Sequence, residues 1–417
     1  MKVLIVDTTE LGFAPNRILK AIQKGGIEAK MLVRSKYTDD PDVISINTSW
    51  LKKKINYLRF AWERLIILLN NHFNRGDLFK VSIANTGTNI IHHPLVKNAD
   101  VIHLHWINQG FLSLKDLKAL VETGKPIVWT MHDMWACTSI CHHSWGCEKF
   151  TQECGCCPLL HSNKQNDLSY HIFKSKEFIS QSGIRIVTVS SWLKNMAQKS
   201  AITKKLNISV IPNVIDLNIF YPSDKMQARK NLTLPANKKI IIMGALRIND
   251  PVKGFVFLKE AMQNIYHKNK DVVLVLFGSI KGEELLKDIS FPVIQMGRIN
   301  EVSRIVQLYA AADVNVVPSY YETFGQTITE SMACGCPSVS FNNSGQTDII
   351  DHKINGYLAE YKSSDDLATG INWILSQNPK EISNACIQKV QNNYAESIIA
   401  KQYISLYENL FKNKSVH

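Results

Sequence analysis

The sequence lacks long hydrophobic runs, and no apolar stretch approaches the ~18 residues that a membrane-spanning helix requires. It also has no internal repeat and no low-complexity segment. The first residues, MKVLIVDTTE, form an apolar run that is too short and too quickly acidic for a secretory signal peptide. They predict a first β-strand instead, and we expect a protein that stays in the cytosol.

Acidic residues are also scarce, with 36 Asp and Glu against 48 Lys and Arg and a net charge of +12. Such an excess favours an anionic partner, which could be nucleic acid, a membrane surface or a phosphate-bearing substrate. Charge alone does not choose among them.

The 417 residues, of which 45% are hydrophobic and 20% charged, are typical of a globular protein. That length predicts two domains of roughly 200 residues each.

Short apolar and β-branched runs recur along the chain, and many are separated by helical patterns. Examples are VLIV, VIHLHW, IVWTM, IRIVTV, KIIIMG, VVLVLFG, VNVVP and PSVSF. They are too apolar for strands with one solvated face. Strands covered by helices on both faces have this composition, which predicts an α/β fold of parallel, doubly wound sheets.

Prolines and polar residues in VIPNVIDLNIFYPSDKM interrupt the pattern and predict a domain boundary near residue 214. We therefore expect an N-terminal domain over 1–213 and a second domain over 214–392. The tail over 393–417 spaces Ile399, Tyr403, Leu406 and Leu410 along one helix face. We expect this C-terminal helix to pack back on the first domain.

The segment over residues 50–75 departs from the α/β rhythm. Apolar residues fall at helical steps of three and four: Leu51, Ile55, Leu58, Trp62, Leu65, Leu69 and Phe73. Basic residues cover its other faces, with a single acid, Glu63: Lys52, Lys53, Lys54, Arg59, Arg64 and Arg75. A basic amphipathic helix of this kind can lie in an anionic bilayer surface. An ordinary helix that packs its apolar stripe on the sheet fits the pattern equally well.

Two acids flank a glycine in ETFGQTITE, which follows an apolar run ending in Pro318. Residues from Gln326 onward predict a short helix whose first amides, with Gly325 beside them, form an anion site. Glu322 would lie at the strand end, where open α/β sheets bind ligands, and Glu330 about one turn into the helix. Alternatively, Thr327 and Glu330 form a capping box that serves only the helix end.

The stretch GALRINDPVKG is a second candidate anion site, since it follows a predicted strand and precedes an amphipathic helix. Arg247 and Lys253 would lie at the end of the predicted strand, beside Gly254. A pair of cations there could stabilise a departing diphosphate. On its own the pattern is weak, because most basic side chains in surface loops are simply solvated.

The chain has nine cysteines, six of them within residues 137–157. Cys141, Cys147, Cys154 and Cys157 could hold a structural zinc as four thiolates, and the last two form a Cys-x-x-Cys pair. Cys137, Cys156, His142 and His143 are substitute ligands. The alternatives are buried free thiols or, in an oxidising compartment, disulfides.

These motifs together resemble the retaining glycosyltransferases of family 4, which have two facing Rossmann-like domains in the GT-B architecture. The resemblance rests on IPNVID, on GALRINDPVKG and above all on ADVNVVPSYYETFGQTITESMACGCPSV. TMHDMW and TVSSWLKN agree with it in the first half. The cysteine-rich loop is similar to that of surface-polysaccharide enzymes of the colanic acid galactosyltransferase type. The chain departs from the family pattern at Val214 and in its first loop, which offers only Gly12.

The resemblance implies a role for each matching residue. Glu322 would contact the hydroxyls of the donor sugar, and Glu330 those of the ribose. The amides of Gly325, Gln326 and Thr327 would bind phosphate. Arg247 and Lys253 would stabilise the leaving nucleoside diphosphate. His132 would close over the donor sugar.

The implied activity is transfer of a sugar, with retention of configuration, from a nucleotide sugar to a growing glycan. The donor would be UDP-linked and the acceptor lipid-linked, with the enzyme bound peripherally to the inner face of the membrane. The transfer would need no metal or other cofactor. An epimerase or phosphorylase of the same fold is one alternative. A basic, zinc-bearing nucleic-acid-binding protein is another, although the chain lacks interleaved basic and aromatic runs that stack bases.

Overall fold

The computed structural model describes residues 1–10, 13–282 and 284–414 and divides into two compact units. Unit 1 contains Met1–Pro212 together with the C-terminal segment from Ile399, and unit 2 contains Asn213–Ile398. The first-loop departure expected at Gly12 lies outside the described residues.

Each unit is built on one parallel sheet. The strands of unit 1 are β1 (Lys2–Thr9), β2 (Glu28–Ser35), β3 (Val43–Ser45), β4 (Val101–Leu104), β5 (Ile127–Met131), β6 (Arg185–Thr188) and β7 (Ile208–Val210). Those of unit 2 are β8 (Lys239–Arg247), β9 (Val272–Ser279), β10 (Val293–Gln295), β11 (Val314–Val317), β12 (Ser338–Phe341) and β13 (Gly356–Ala359).

Helices connect these strands. In the N-terminal part they are α1 (Phe13–Lys24), α2 (Trp50–Asn70), α3 (Pro94–Asn98), α4 (Leu114–Glu122), α5 (Leu168–Lys176) and α6 (Ser191–Lys199). The others are α7 (Lys225–Asn231), α8 (Phe255–Lys268), α9 (Val302–Ala311), α10 (Gln326–Ala333), α11 (Ser364–Ser376), α12 (Pro379–Tyr394) and α13 (Glu396–Lys414). No helix in the described part of the chain combines the length and apolar character needed to cross a bilayer.

The two sheets share a strand order. It runs β3-β2-β1-β4-β5-β6-β7 in unit 1 and β10-β9-β8-β11-β12-β13 in unit 2. The connections therefore reverse direction between β1 and β4, and again between β8 and β11. In doubly wound folds, ligands bind beyond the carboxyl ends of the strands at such a reversal. The predicted fold class, α/β with two Rossmann-like units, is confirmed.

The central strands are largely apolar because both of their faces are covered. Every residue of β4 and of β11 is buried. The core of unit 2 extends from β11 to Leu258 and Met262 on α8 and to Ile371 on α11. This burial on both faces accounts for the missing alternation of polar and apolar residues in the sequence.

The C-terminal helix α13 contributes its buried face to unit 1. Ile399, Tyr403 and Tyr407 are fully buried, at steps of four residues. Leu406, which the sequence pattern placed on this face, is only half-buried. The face is therefore tyrosine-rich: the hydroxyl of Tyr407 bonds Nδ1 of His103 at 2.7 Å, and that of Tyr403 bonds Oγ1 of Thr130 at 3.0 Å.

Helix α2 has its polar side inward and its apolar side outward. The seven stripe residues predicted from Leu51 to Phe73 are between 39% and 65% exposed. The residues that α2 buries are Asn56, Glu63, Arg64 and Ile67. The alternative in which the stripe packs on the sheet is therefore wrong. Arg64, expected on the solvated basic face, is also buried.

A buried ion pair holds α2 in this orientation. The carboxylate of Glu63 accepts the backbone N–H groups of Ile83 and Ala84 at 2.8 and 3.0 Å. Arg64 lies 3.2 Å from the same carboxylate and donates to the carbonyl oxygens of Leu78 and Val81. Burying these charges requires that their hydrogen bonds be made, and only the inward orientation of this face makes them.

We expect Glu63→Ala to lower the free energy of unfolding of unit 1 by about 3 kcal/mol, since it leaves a buried guanidinium and two amides without their acceptor. Urea titration followed by intrinsic fluorescence measures the change. Lys53→Ala on the exposed side of α2 is the matched control and should change it by less than about 0.5 kcal/mol. Equal stabilities for the two variants would show that Glu63 does not anchor the helix.

Candidate functional site

The reversal point of unit 2 lies between β8 and β11, which are neighbours in the sheet. The chain leaves β8 at Arg247 and turns through Pro251–Lys253 before α8 begins. It leaves β11 at Val317 and continues past Glu322 into α10. Both predicted anion-binding stretches therefore lie at the same edge of one sheet.

A close backbone contact at Gly254 packs these two stretches together. Gly254 has a φ of +66°, and a Cβ atom there would lie 1.9 Å from the carbonyl oxygen of Pro318. The N–H of Tyr320 donates to the carbonyl oxygen of Val252 at 2.8 Å. A side chain at position 254 would push the turn away from the end of β11, so glycine is required here on two grounds.

This contact brings Lys253 to Glu322. Nζ of Lys253 lies 2.8 Å from Oε1 of Glu322, and both side chains are half-buried. The Glu322 carboxylate raises the pKa of Lys253, partly opposed by burial, so the lysine stays charged. The backbone of Glu322 is fixed as well, because its N–H donates to Oγ of Ser344 and its carbonyl accepts the N–H of Gly345.

Helix α10 begins directly after this pair. Its N-cap is Gly325, with a φ of +114° and no side-chain cap. Thr327 is the second residue of the helix, so the capping box of Thr327 with Glu330 does not form. The first amides of a helix have no partner within it, which leaves those of Gln326 and Thr327 oriented for an anion.

Two predicted donor residues remain: Glu330 lies close to this helix start, and Arg247 lies at the end of β8. Glu330 is half-buried one turn into α10, where it accepts a hydrogen bond from Nε2 of Gln326 at 3.3 Å. Arg247 is exposed at the last position of β8. The structure thus joins Lys253 to Glu322 directly, and it leaves the Arg247 side chain on the surface.

His132 follows β5 in unit 1. Its Nε2 lies 2.8 Å from Nδ1 of His105, which follows β4. Burial lowers the pKa of His132 to about 4, so the ring is neutral at pH 7. The neighbouring Asp133 accepts hydrogen bonds from Trp106 at 3.1 Å and from His142 at 2.6 Å.

The sequence analysis did not single out His103 and His105 as candidate functional residues. Both lie in the run VIHLHW, two residues apart. Alternate residues of a strand share a face, so two histidines on one face of an otherwise apolar run could have indicated a polar cluster.

The four predicted zinc ligands line a single cavity of about 30 Å³, together with Phe150 and Ser169. All nine cysteines are free thiols, so the disulfide alternative is not seen. Burial raises the pKa of Cys141 and of Cys154 to about 12, which keeps them protonated unless a metal displaces the protons. Within the described residues, no group of three or more His, Cys, Asp or Glu side chains is arranged to hold a metal ion. The zinc site stays a prediction.

Metal analysis of the full chain, purified without chelator, tests the predicted zinc site. We expect about one zinc per chain, as in structural four-thiolate sites. Cys154→Ser should lose the metal. Cys156→Ser is the matched control and should keep the metal, because Cys156, although a substitute ligand by sequence, does not line the cavity and its thiol donates to the carbonyl oxygen of Asn163 at 3.4 Å. A wild-type chain without zinc would end the proposal.

Comparisons with known proteins agree with this arrangement. Residues 224–393 match the family model of glycosyl transferases group 1, and residues 88–219 match that of glycosyltransferase family 4. An uncharacterized glycosyltransferase of Methanocaldococcus jannaschii is 29% identical over 270 residues, which cover 61% of this chain and 67% of that protein. Against several other curated relatives, the chain spans about half of their length or less.

Solved structures share the fold over nearly the whole chain. Sucrose-phosphate synthase from Thermosynechococcus elongatus is 21% identical with a TM-score of 0.69, and the match covers 99% of this chain and 100% of that one. Anabaena HepE in complex with UDP is 18% identical with a TM-score of 0.65, over 98% and 100% of the two chains. The chain therefore carries a glycosyltransferase family 4 domain over residues 88–219 and a group 1 glycosyltransferase domain over residues 224–393, on a GT-B fold.

Proposed function

We propose that this glycosyltransferase moves a sugar from a UDP-linked donor to a lipid-linked, growing surface polysaccharide, with retention of anomeric configuration. The observation that carries the proposal is the Lys253–Glu322 ion pair, which lies just before the amide-presenting start of α10. At this edge of the sheet the ammonium of Lys253 suits the diphosphate of the donor, and the carboxylate of Glu322 suits the hydroxyls of its sugar.

The donor diphosphate binds at the start of α10, where the amides of Gln326 and Thr327 and the helix dipole favour negative charge. Glu322 accepts hydrogen bonds from the hydroxyls of the donor sugar, and Glu330 accepts those of the ribose. Lys253 and Arg247 supply the positive charge that stabilises the departing nucleoside diphosphate. In this assignment the cationic groups are supplied by protein side chains and no metal ion takes part.

Transfer takes place on the face of the sugar from which the diphosphate departs. The acceptor hydroxyl oxygen bonds to the anomeric carbon, and the bond between that carbon and the phosphate oxygen breaks. The electron pair of the broken bond stays on the phosphate oxygen, which takes the hydroxyl proton. The assignment of UDP draws support from Anabaena HepE, which was solved in complex with UDP.

Helix α2 carries the proposed membrane contact. Its outward face combines exposed Trp62 and Leu58 with exposed Lys52, Lys53 and Lys54. Each basic residue near an anionic surface contributes about 1 kcal/mol, and the apolar side chains add burial in the headgroup region. A lipid-linked acceptor is presented at the same surface, so this contact would place unit 1 beside its substrate.

Glu322→Ala tests the donor site. We expect a near-total loss of transfer, on the order of 10³-fold, because it removes the acceptor for the sugar hydroxyls and the partner that positions Lys253. The fold should survive, since Glu322 lies on a half-buried loop. Nucleotide release and glycolipid formation are measured with a membrane extract as acceptor. Glu301→Ala, an exposed acid of the same unit, is the control, and wild-type activity in Glu322→Ala would refute the assignment.

Vesicle sedimentation tests the membrane contact. Leu58→Ser with Trp62→Ser should abolish binding to vesicles that contain phosphatidylglycerol. Replacing Lys52, Lys53 and Lys54 together by Gln should weaken binding on the order of 100-fold, from about 1 kcal/mol per charge.

Ile354→Ser is the matched control for these variants, since Ile354 is an exposed apolar residue of unit 2. It should bind like the wild type. Equal wild-type binding to vesicles of phosphatidylcholine alone would contradict the role of charge. Full binding by the Leu58 and Trp62 double variant would contradict the role of α2.

A further inference from the structure

A polar groove lies on unit 2 between α7, α9 and residues 218–223, the segment that precedes α7. Its volume is about 400 Å³, within the range of about 300–1,000 Å³ that is usual for ligand pockets. None of the described residues that line this α7–α9 groove belongs to the predicted donor site. The groove is therefore a separate feature of unit 2, which the transfer proposed above does not use.

Buried contacts hold the two helices of the groove in place. Arg229 of α7 is buried, and its Nε–H donates to the carbonyl oxygen of Ala311, the last residue of α9, at 3.0 Å. The same guanidinium lies 2.8 Å from a carboxylate oxygen of Asp313, just before β11. Ala228 and Val306 are the buried residues of the lining. The groove is thus part of the packed structure of unit 2, and a ligand does not have to open it.

An exposed aromatic ring lies at one side of the α7–α9 groove. Phe220 is buried and anchors the segment before α7, and the next residue, Tyr221, lines the groove with 52% of its surface exposed. Ile219, on the other side of this anchor, is also exposed and lines the groove. The C–H face of a sugar ring can pack on an exposed tyrosine ring, while the phenol hydroxyl exchanges hydrogen bonds with sugar hydroxyls.

Four of the polar side chains in the lining are amides. Nε2 of Gln227 donates to Oδ1 of Asn231, one turn further along α7, at 2.7 Å. This bond leaves Oε1 of Gln227 as an acceptor and Nδ2 of Asn231 as a donor. The other two amides are those of Gln307 on α9 and Asn218. An amide offers a donor and an acceptor side by side, which suits the neighbouring hydroxyl groups of a sugar.

The lining of the α7–α9 groove carries very little charge. Among the described residues that line it, Asp224 is the only charged side chain, and its carboxylate accepts the backbone N–H of Gln227 at 2.6 Å. None of the chain's 48 Lys and Arg residues lines this groove in the described part of the chain. A phosphate or carboxylate ligand would therefore meet a carboxylate and no cation. The chemistry of the groove favours a neutral ligand.

We propose that the α7–α9 groove binds a neutral oligosaccharide, with one sugar ring packed on Tyr221 and its hydroxyl groups bonded to the amides of Gln227, Asn231 and Gln307. This site is distinct from the donor site at the edge between β8 and β11, and it needs no nucleotide. With the proposed function, on which this last step rests, the natural ligand is a neutral stretch of the growing glycan.

Saturation-transfer NMR of the full chain, without donor nucleotide, tests the binding of neutral sugars. The probes are neutral tetrasaccharides of glucose, of galactose and of mannose, and the tetrasaccharide of galacturonic acid is the charged comparison. We expect at least one neutral probe to bind, and the charged one to bind more weakly. No binding of any neutral probe, or equal or tighter binding of the charged one, would overturn the proposal.

Variants of the full chain locate the bound sugar. Tyr221→Ala removes the aromatic ring and should weaken binding of the neutral probe about 10-fold. Gln227→Ala with Gln307→Ala removes two amides and should weaken it by about the same factor. Met226→Ala is the matched control and should bind like the wild type, because Met226 is exposed on α7 and does not line the groove. Thermal melts check that each variant is folded, and full binding by folded Tyr221→Ala would overturn the proposal.

Glu322→Ala separates this proposal from the proposed function. It should bind the neutral probe like the wild type, because Glu322 does not line the α7–α9 groove. Loss of binding in Glu322→Ala, with binding retained in Tyr221→Ala, would place the sugar at the donor edge and overturn the groove. If the wild-type chain transferred no sugar, the proposed function would fail, and the titrations would still decide whether the groove binds a neutral oligosaccharide.

Discussion

The ion pair of Lys253 with Glu322 depends on a backbone contact that only glycine permits. Gly254 lies against the carbonyl oxygen of Pro318, so that the turn after β8 and the segment after β11 pack directly on each other. Without that approach the lysine would be one more solvated cation on a loop. With it, opposite charges and the open start of α10 lie at the reversal point of one parallel sheet.

A second constraint, in unit 1, is electrostatic. Helix α2 buries Glu63 and Arg64, and the hydrogen bonds of Glu63 to two backbone amides are made only when this face points inward. The apolar stripe is thereby turned to the outside. Arg64 also donates to Oγ of Ser82, which bonds His142, and His142 bonds Asp133 beside His132. One hydrogen-bond chain thus links the exposed helix to the strand end that carries the predicted catalytic histidine.

The features that sequence could predict were local ones. Uniformly apolar runs predicted buried parallel strands, and ETFGQTITE predicted a helix start beside a strand end. The pairing of Lys253 with Glu322 could not be predicted, because it requires the contact of Gly254 with Pro318, a residue far away in sequence.

Other features could not be predicted, since they depend on which partner satisfies a buried polar group. The apolar stripe of α2 does not indicate that Glu63 accepts two backbone amides and that the helix therefore has its polar face inward. The hydrogen bonds of Thr130 and His103 likewise depend on Tyr403 and Tyr407, which lie on a helix 273 and 304 residues further along the chain. Such networks are specified by the whole fold and not by any local pattern.

The central claim is that the edge between β8 and β11 binds a nucleotide sugar for retaining transfer. A panel of nucleotide sugars, incubated with the full chain and a membrane extract, tests it most directly. The account predicts that one UDP-sugar releases UDP and yields a glycolipid whose new linkage keeps the donor's anomeric configuration, as read by mass spectrometry and NMR of the product. No turnover of any nucleotide sugar, or a product of inverted configuration, would contradict it.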